Sequence, residues 1–254
     1  MTDIKIDVAD KVALVTIDRP PVNALLLATY REIAEAFGAL GARDDVNVAI
    51  LTGAGTRAFC AGLDLKEFVA AKVEDDPARA AVVRATFTEV RQCAIPTIAA
   101  VNGPALGAGC VLAAACDMRI AAENATFGLP EINVGRCGGG AHVGRLIPQG
   151  ALRRMFFTGR PIDAREAYRT GLVDEVVAPI ELLPAARRLA ETIAAKASLG
   201  LRLGKEALNA VEWMPVEDGY ALEQKYSTRL MATEDAREAA RAAIEKRAPR
   251  FLGR

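Results

Sequence analysis

The sequence predicts an α/β fold on largely buried strands, finished by an all-helical C-terminal region. Short apolar runs such as VAILTG and PTIAAV have strand length and alternate with longer segments of helical spacing up to about residue 178. These runs are apolar at successive positions, as strands covered on both faces are. From Pro179 onward every segment reads as helical.

Along the chain, IKIDVADKVALVTID alternates apolar and polar residues on both sides of Asp10 and predicts a β-hairpin. RPPVNA is a loop, and LLLATYREIAEAFGAL has helical spacing. VAILTG is a buried strand, GAGTRAF a turn, LDLKEF a helix start and ARAAVVRATFTEVRQC a second helix. PTIAAV, MRIAA and ATFG are further strands. In PIDAREAYRTG, Asp163 and Glu166 form a capping-box-like start, and Gly171 ends that helix. ELLPAARRLAETIAAKA, LRLGKEALNAVEW, PVEDGYALEQKYSTRL and TEDAREAARAAIEKR are helices separated by Gly, Pro or Thr-Glu breaks. The expected division is an α/β core over residues 1–195 and a helical oligomerisation region over residues 196–254.

The 254 residues are 52% hydrophobic, enough to bury a substantial core. Lys+Arg and Asp+Glu both count 32, so the formal net charge is zero and no nucleic-acid surface is expected. No apolar run reaches the ~18–20 residues needed to cross a bilayer. The opening MTDIKIDVADK lacks the apolar stretch of a signal peptide, and the closing FLGR is not a peroxisomal address. The five cysteines are odd in number, with no CxxC spacing, and His142 is the single histidine. A reduced, cytoplasmic protein without a metal centre is the expectation.

Three glycine-rich stretches carry the functional reading. FCAGLDLKEF follows a strand and leads into a helix, so Gly62 frees the backbone and the Leu63 amide points outward at the helix start. A helix N-terminus offers unpaired N–H groups and a positive dipole end, which suits an oxyanion. On this stretch alone an ordinary strand-to-helix turn is the simpler explanation of the same residues. GPALGAGCVLA repeats that grammar with Gly103, Gly107 and Gly109, and fits neither a dinucleotide fingerprint nor a Walker loop. Two converging backbone amides hold the oxyanion of a thioester enolate. GRCGGGAHVGRL is either a third helix start or a site of tight packing.

At these residues the chain resembles the crotonase (enoyl-CoA hydratase/isomerase) superfamily. The resemblance rests on RPPVNAL, AILTGAGTRAFCAGLDLKEF, PTIAAVNGPALGAGCVLAAACDMRIAAENATFGLPEINVG, RLIPQGALRRMFFTGRPIDAREAYRTGLVDEVV and KRAPRFLGR, in that order and over nearly the whole chain. It implies a crotonase-like spiral of β-β-α repeats with a C-terminal helical trimerisation region, and a homotrimer or a dimer of trimers. It also implies acyl-CoA thioester substrates, with no separate cofactor because coenzyme A is part of the substrate. By motif position the oxyanion amides are those of Leu63, after Ala61-Gly62, and Ala108, between Gly107 and Gly109. Lys66 matches a position near the CoA moiety.

Hydratases of the family carry two glutamates. Here the first position holds Val111, and the PE pair supplies Glu131, with the family's spacing kept. One base suffices to move a double bond from the 3,4 to the 2,3 position: deprotonate C2, hold the dienolate, reprotonate C4. The resemblance therefore implies 3-enoyl-CoA isomerisation with Glu131 as sole acid/base. The alternatives are an enoyl-CoA hydratase, another enolate reaction such as thioester hydrolysis or C–C cleavage of a diketone, and a non-catalytic acyl-CoA-binding protein. Some members have an aspartate where this chain has Gly139, so their dienoyl isomerisation or carnitinyl dehydration is not expected. His142 is either a packed residue or a substitute for the lost carboxylate, titrating near ~6.5. A Cys110–His142 thiol pair is a further alternative, with buried filler the simpler role for Cys110. Asp64 is expected to cap or brace its loop.

Overall fold

The computed structural model describes residues 2–254. The expected hairpin forms from β1 (Ile4–Ala9) and β2 (Val12–Ile17), paired antiparallel from Ile4↔Ile17 to Ala9↔Val12. Asp10 and Lys11 make its turn at φ 51° and 64°, the left-handed pair a two-residue hairpin uses. Helix α1 (Leu27–Gly41) then buries Tyr30, Ile33, Phe37 and Leu40 along one stripe.

Three further turns of chain follow the same plan. The first holds β3 (Val48–Gly53), α2 (Leu65–Ala70) and α3 (Asp76–Gln92). The second holds β4 (Thr97–Val101), β5 (Ala105–Leu106) and α4 (Ala108–Ala115). The third holds β6 (Met118–Ala122), β7 (Thr126–Gly128), a 3-10 turn at Pro130–Val134, the single-turn α5 (Gly140–Val143) and α6 (Gln149–Thr158). The core closes with β8 (Ile162–Asp163), α7 (Ala164–Arg169) and β9 (Glu175–Val177). Asp163 caps α7 by accepting from Glu166 N at 2.8 Å, as its sequence signature predicts.

The first strand of each turn enters a six-stranded sheet in the order β1-β2-β3-β4-β6-β9, parallel from β2 onward. The second strand enters a small sheet, β5-β7-β8, which single bridges Cys60↔Ala105 and Leu25↔Leu63 link back toward the earlier turns. The result is a spiral of β-β-α units. Strands β5 and β8 are two residues each and carry no periodic signal; the sequence reads Ala105–Leu106 simply as loop. The GRCGGG stretch does begin a helix, but one of four residues only.

The helical region comprises α8 (Leu182–Ala194), α9 (Ser198–Val211), α10 (Val216–Met231) and α11 (Glu234–Glu245). The boundary expected at 195/196 falls between α8 and α9. Helix α8 covers one face of the large sheet, its Leu182, Ala185, Ala186 and Ala190 meeting Val48, Ile50, Ile98 and Ile120. Ala49, Leu51 and Ala99 point the other way into the main core. Covering both faces is why VAILTG is apolar at nearly every position. Among the described residues, no helix is long and apolar enough to cross a membrane.

Lys205 ties α9 to the core. Its buried ammonium donates to Ile95 O at 3.0 Å and pairs with Asp117 at 2.8 Å, and Asp117 also accepts from Thr97 N at 2.7 Å. Removing one partner strands the other, although Asp117 keeps its Thr97 bond and some exposure. Lys205→Met is expected to destabilise the fold by about 2 kcal/mol, read as a lowered urea midpoint at constant slope.

Candidate active site

The site forms where two strand-to-helix loops touch. After β3 the chain turns through residues 54–58, held by Asn23, whose side chain donates to Ala54 O at 3.0 Å and Ala58 O at 2.9 Å. It then runs through Ala61, Gly62 and Leu63 into α2. Ala61 N donates to Val22 O at 3.0 Å, and Asp64 caps α2 through Lys66 N and Glu67 N at 3.0 and 3.1 Å. Those backbone bonds first, then Arg19, hold the Asp64 carboxyl below its usual range. Asp64 therefore braces the loop as expected.

The second loop runs from β5 through Gly107 into α4. Leu106 N donates to Cys60 O at 3.0 Å, which presses the loops together. A Cβ on Gly109 would overlap the Cys60 carbonyl and lie 2.9 Å from the Cys60 Cβ. Gly107 adopts φ 53°, and a Cβ there would lie 2.8 Å from Glu131 Oε1. Glycine at 107 thus supplies the backbone turn and lets the carboxylate close in.

Among the described residues, neither expected amide has a hydrogen-bond acceptor. Leu25 bonds the Gly62 carbonyl and the Asp64 amide, which leaves the Leu63 N–H outside the pairing. Ala108 is the first residue of α4, so its N–H has no intrahelical acceptor. A Cβ on Gly62 would lie 3.6 Å from Ala108 N, so the two amides belong to adjoining backbones. Leu63 and Ala108 both line a pocket of about 330 Å³, together with Val111, Glu131, Tyr30 and His142.

Glu131 begins the 3-10 turn after β7. Its Oε2 is buried without a hydrogen-bond partner, and burial raises its pKa above the ordinary carboxylate value of 4.5. Val111 faces the pocket at 3% exposure. A Cβ on Gly139 would fall 2.8 Å from Val111 Cγ2 and 2.6 Å from Leu129 Cδ2. Gly139 is therefore packed against apolar side chains.

His142 lies against Phe87, ring centroids 5.6 Å apart at 68°. Burial first, then the Arg145 and Arg91 guanidiniums, hold its pKa below 6.5, so any His142 limb lies lower than the sequence reading expects. Cys110 is fully buried, and burial pushes its thiol to about 12. It supplies no thiolate near neutral pH, and the thiol-pair reading fails. Lys66 is exposed on α2 and does not itself line the pocket.

Tyr30 escaped the sequence reading. It belongs to the buried stripe of α1, and a tyrosine at helical spacing reads as core. Its ring packs edge-on to Phe87 at 6.1 Å and lines the pocket. Arg136 also lines the pocket, over the Phe68 ring at 5.1 Å and paired with Asp76 at 2.8 Å.

A β-β-α spiral whose strand-to-helix loops meet over one pocket is the crotonase fold. A family model described as enoyl-CoA hydratase/isomerase matches residues 7–254, and the chain belongs to that enzyme family. It is 41% identical to a (7aS)-7a-methyl-1,5-dioxo-2,3,5,6,7,7a-hexahydro-1H-indene-carboxyl-CoA hydrolase of Mycobacterium tuberculosis, over 86% of this chain and 89% of that one. It is 40% identical to the carnitinyl-CoA dehydratase of Proteus mirabilis, over 94% of each chain. The crystal structure of enoyl-CoA hydratase from Bacillus anthracis superposes with a TM-score of 0.95 at 36% identity, over 99% of this chain and 100% of that one.

Proposed function

We propose that the protein is a one-base acyl-CoA enolate enzyme whose reaction is the isomerisation of 3-enoyl-CoA to 2-enoyl-CoA. The observation that carries this reading is the Glu131 carboxylate, its Oε2 unpartnered among the described residues, in one pocket with the Leu63 and Ala108 amides and with Val111 on the wall. The thioester oxygen accepts from Leu63 N–H and Ala108 N–H. Glu131 takes a proton from C2, and the electron pair moves into the C1–oxygen bond to give a dienolate. Charge on that oxygen strengthens both hydrogen bonds, which lowers the barrier. The proton then returns from Glu131 to C4, leaving the double bond at C2–C3. Burial makes the Glu131 carboxylate a stronger base than an exposed one, which suits proton abstraction.

Hydration is the second reading, favoured by the hydratase and dehydratase names among the relatives. It requires a group other than Val111 to orient the water. Incubating 2-enoyl-CoA and 3-enoyl-CoA separately in deuterated water decides between them. Isomerisation gives label at C2 or C4 without water addition; a 3-hydroxyacyl-CoA as the main product overturns it. The reading also carries an assembly of three or six copies. Leu208, Trp213, Val216, Tyr220 and Met231, on α9, α10 and the turn between them, are large apolar side chains left exposed in the single chain.

The pH profile follows from the base. Glu131 works ionised, so activity falls as pH falls through its pKa, and that pKa is raised. The acid limb is expected above pH 4.5. His142→Asn is expected to leave the limb in place; its disappearance would assign the limb to His142.

A further inference from the structure

Among the described residues, the Tyr30 and His142 side chains line the acyl pocket without a hydrogen-bond partner, and one-base isomerisation uses neither. The Tyr30 side chain is 4% exposed, and its hydroxyl makes no hydrogen bond among the described residues. Burial pushes its pKa far up, so it stays protonated and is a donor. His142 has its Nδ1 sealed without a partner, while its ring lines the same pocket. The pKa held below 6.5 keeps the ring neutral near pH 7, with a single N–H. A proton on Nδ1 would be a buried donor with no acceptor, so Nε2 is the favoured carrier. Phe87 packs edge-on against both, its ring centroid 6.1 Å from that of Tyr30 and 5.6 Å from that of His142.

Most charged groups around these donors are engaged in ion pairs, with Arg91 and Arg145 sharing one carboxylate. Arg91 and Arg145 both pair with Glu212, Arg79 with Glu67 and Arg136 with Asp76. A substrate carboxylate at Tyr30 would add a second negative charge in a pocket that already holds Glu131, so an uncharged acceptor fits better. Leu27, Val83, Phe87 and Val111 make part of the wall apolar, and the Glu67, Asp76, Arg79 and Arg136 side chains on it are already paired.

We propose that Tyr30 and His142 form a polar subsite, either side of Phe87, which takes a carbonyl oxygen on the acyl group, so that the preferred substrates are oxo-acyl-CoA thioesters rather than plain alkenoyl ones. The inference rests on the acyl-CoA reading of the pocket and adds its acyl class. It is tested by calorimetric binding of heptanoyl-CoA and of 4-, 5- and 6-oxoheptanoyl-CoA to the full-length protein. At least one oxo isomer is expected to bind about ten-fold more tightly than heptanoyl-CoA, the scale of one or two neutral hydrogen bonds in a dry site. Tyr30→Phe or His142→Phe is expected to remove most of that preference while changing heptanoyl-CoA affinity less than about two-fold, since Phe keeps the packing and deletes the donor. Equal binding of all four ligands overturns the subsite alone, as does a preference that survives both substitutions. Failure of heptanoyl-CoA itself to bind overturns the acyl-CoA reading and the subsite with it.

Discussion

Glu131→Gln is expected to lower turnover of a 3-enoyl-CoA by about 10³-fold, the middle of the range for a positioned general base. Glutamine has the same shape, and Glu131 Oε2 has no hydrogen-bond partner to lose. The fold and the binding of a saturated acyl-CoA are therefore expected to be unchanged. Exchange of the C2 proton with deuterated water isolates the abstraction step and is expected to fall by the same factor. Unchanged exchange would remove Glu131 from the chemistry. An isomerase and a hydratase both lose activity here, so this result establishes the base and the product analysis establishes the reaction.

Gly109→Ala has the largest expected effect on the fold. The added methyl would occupy the space of the Cys60 carbonyl, which is fixed by its bond from Leu106 N at 3.0 Å. Neither partner is a flexible side chain, so relief requires the two loops to part. The expected cost is about 3 kcal/mol, the upper part of the usual overpacking range, or roughly 6–12 °C in Tm for a chain of this size. Parting the loops also separates the Leu63 and Ala108 amides, so kcat is expected to fall together with stability. Gly204→Ala is the contrast. A Cβ there meets nothing within 4 Å in the interior of α9, and alanine is expected to stabilise by about 0.5–1 kcal/mol. Equal stability of both variants would show that the loops do not depend on the close approach at Gly109.

Strands β3 and β4 are legible in the sequence because α8 and the main core cover their opposite faces, which makes their residues apolar in succession. The hairpin is legible because its outer strand β1 is half exposed and alternates. Strands β5 and β8 are not, because two residues carry no period and become strands only by pairing with β7. The loops around Gly62 and Gly107 are visible as glycine patterns. Their mutual contact is not, because it joins segments more than forty residues apart. Tyr30 is hidden for a related reason: its spacing matches a core stripe, and the pocket it lines includes residues from α3, α4 and the segment after β7.

The sequence by itself determined the family, and it marked the two candidate amides, Glu131 and the valine at 111, because each is a matter of residue type at a motif position. The tertiary structure alone decided that Glu131 Oε2 is buried without a partner among the described residues, that Gly139 is packed against Leu129 and Val111, and that burial and two guanidiniums lower the His142 pKa. Each of these depends on which side chains surround a group in space. Desolvation and close packing act through those neighbours, and the order of residues along the chain does not specify them locally.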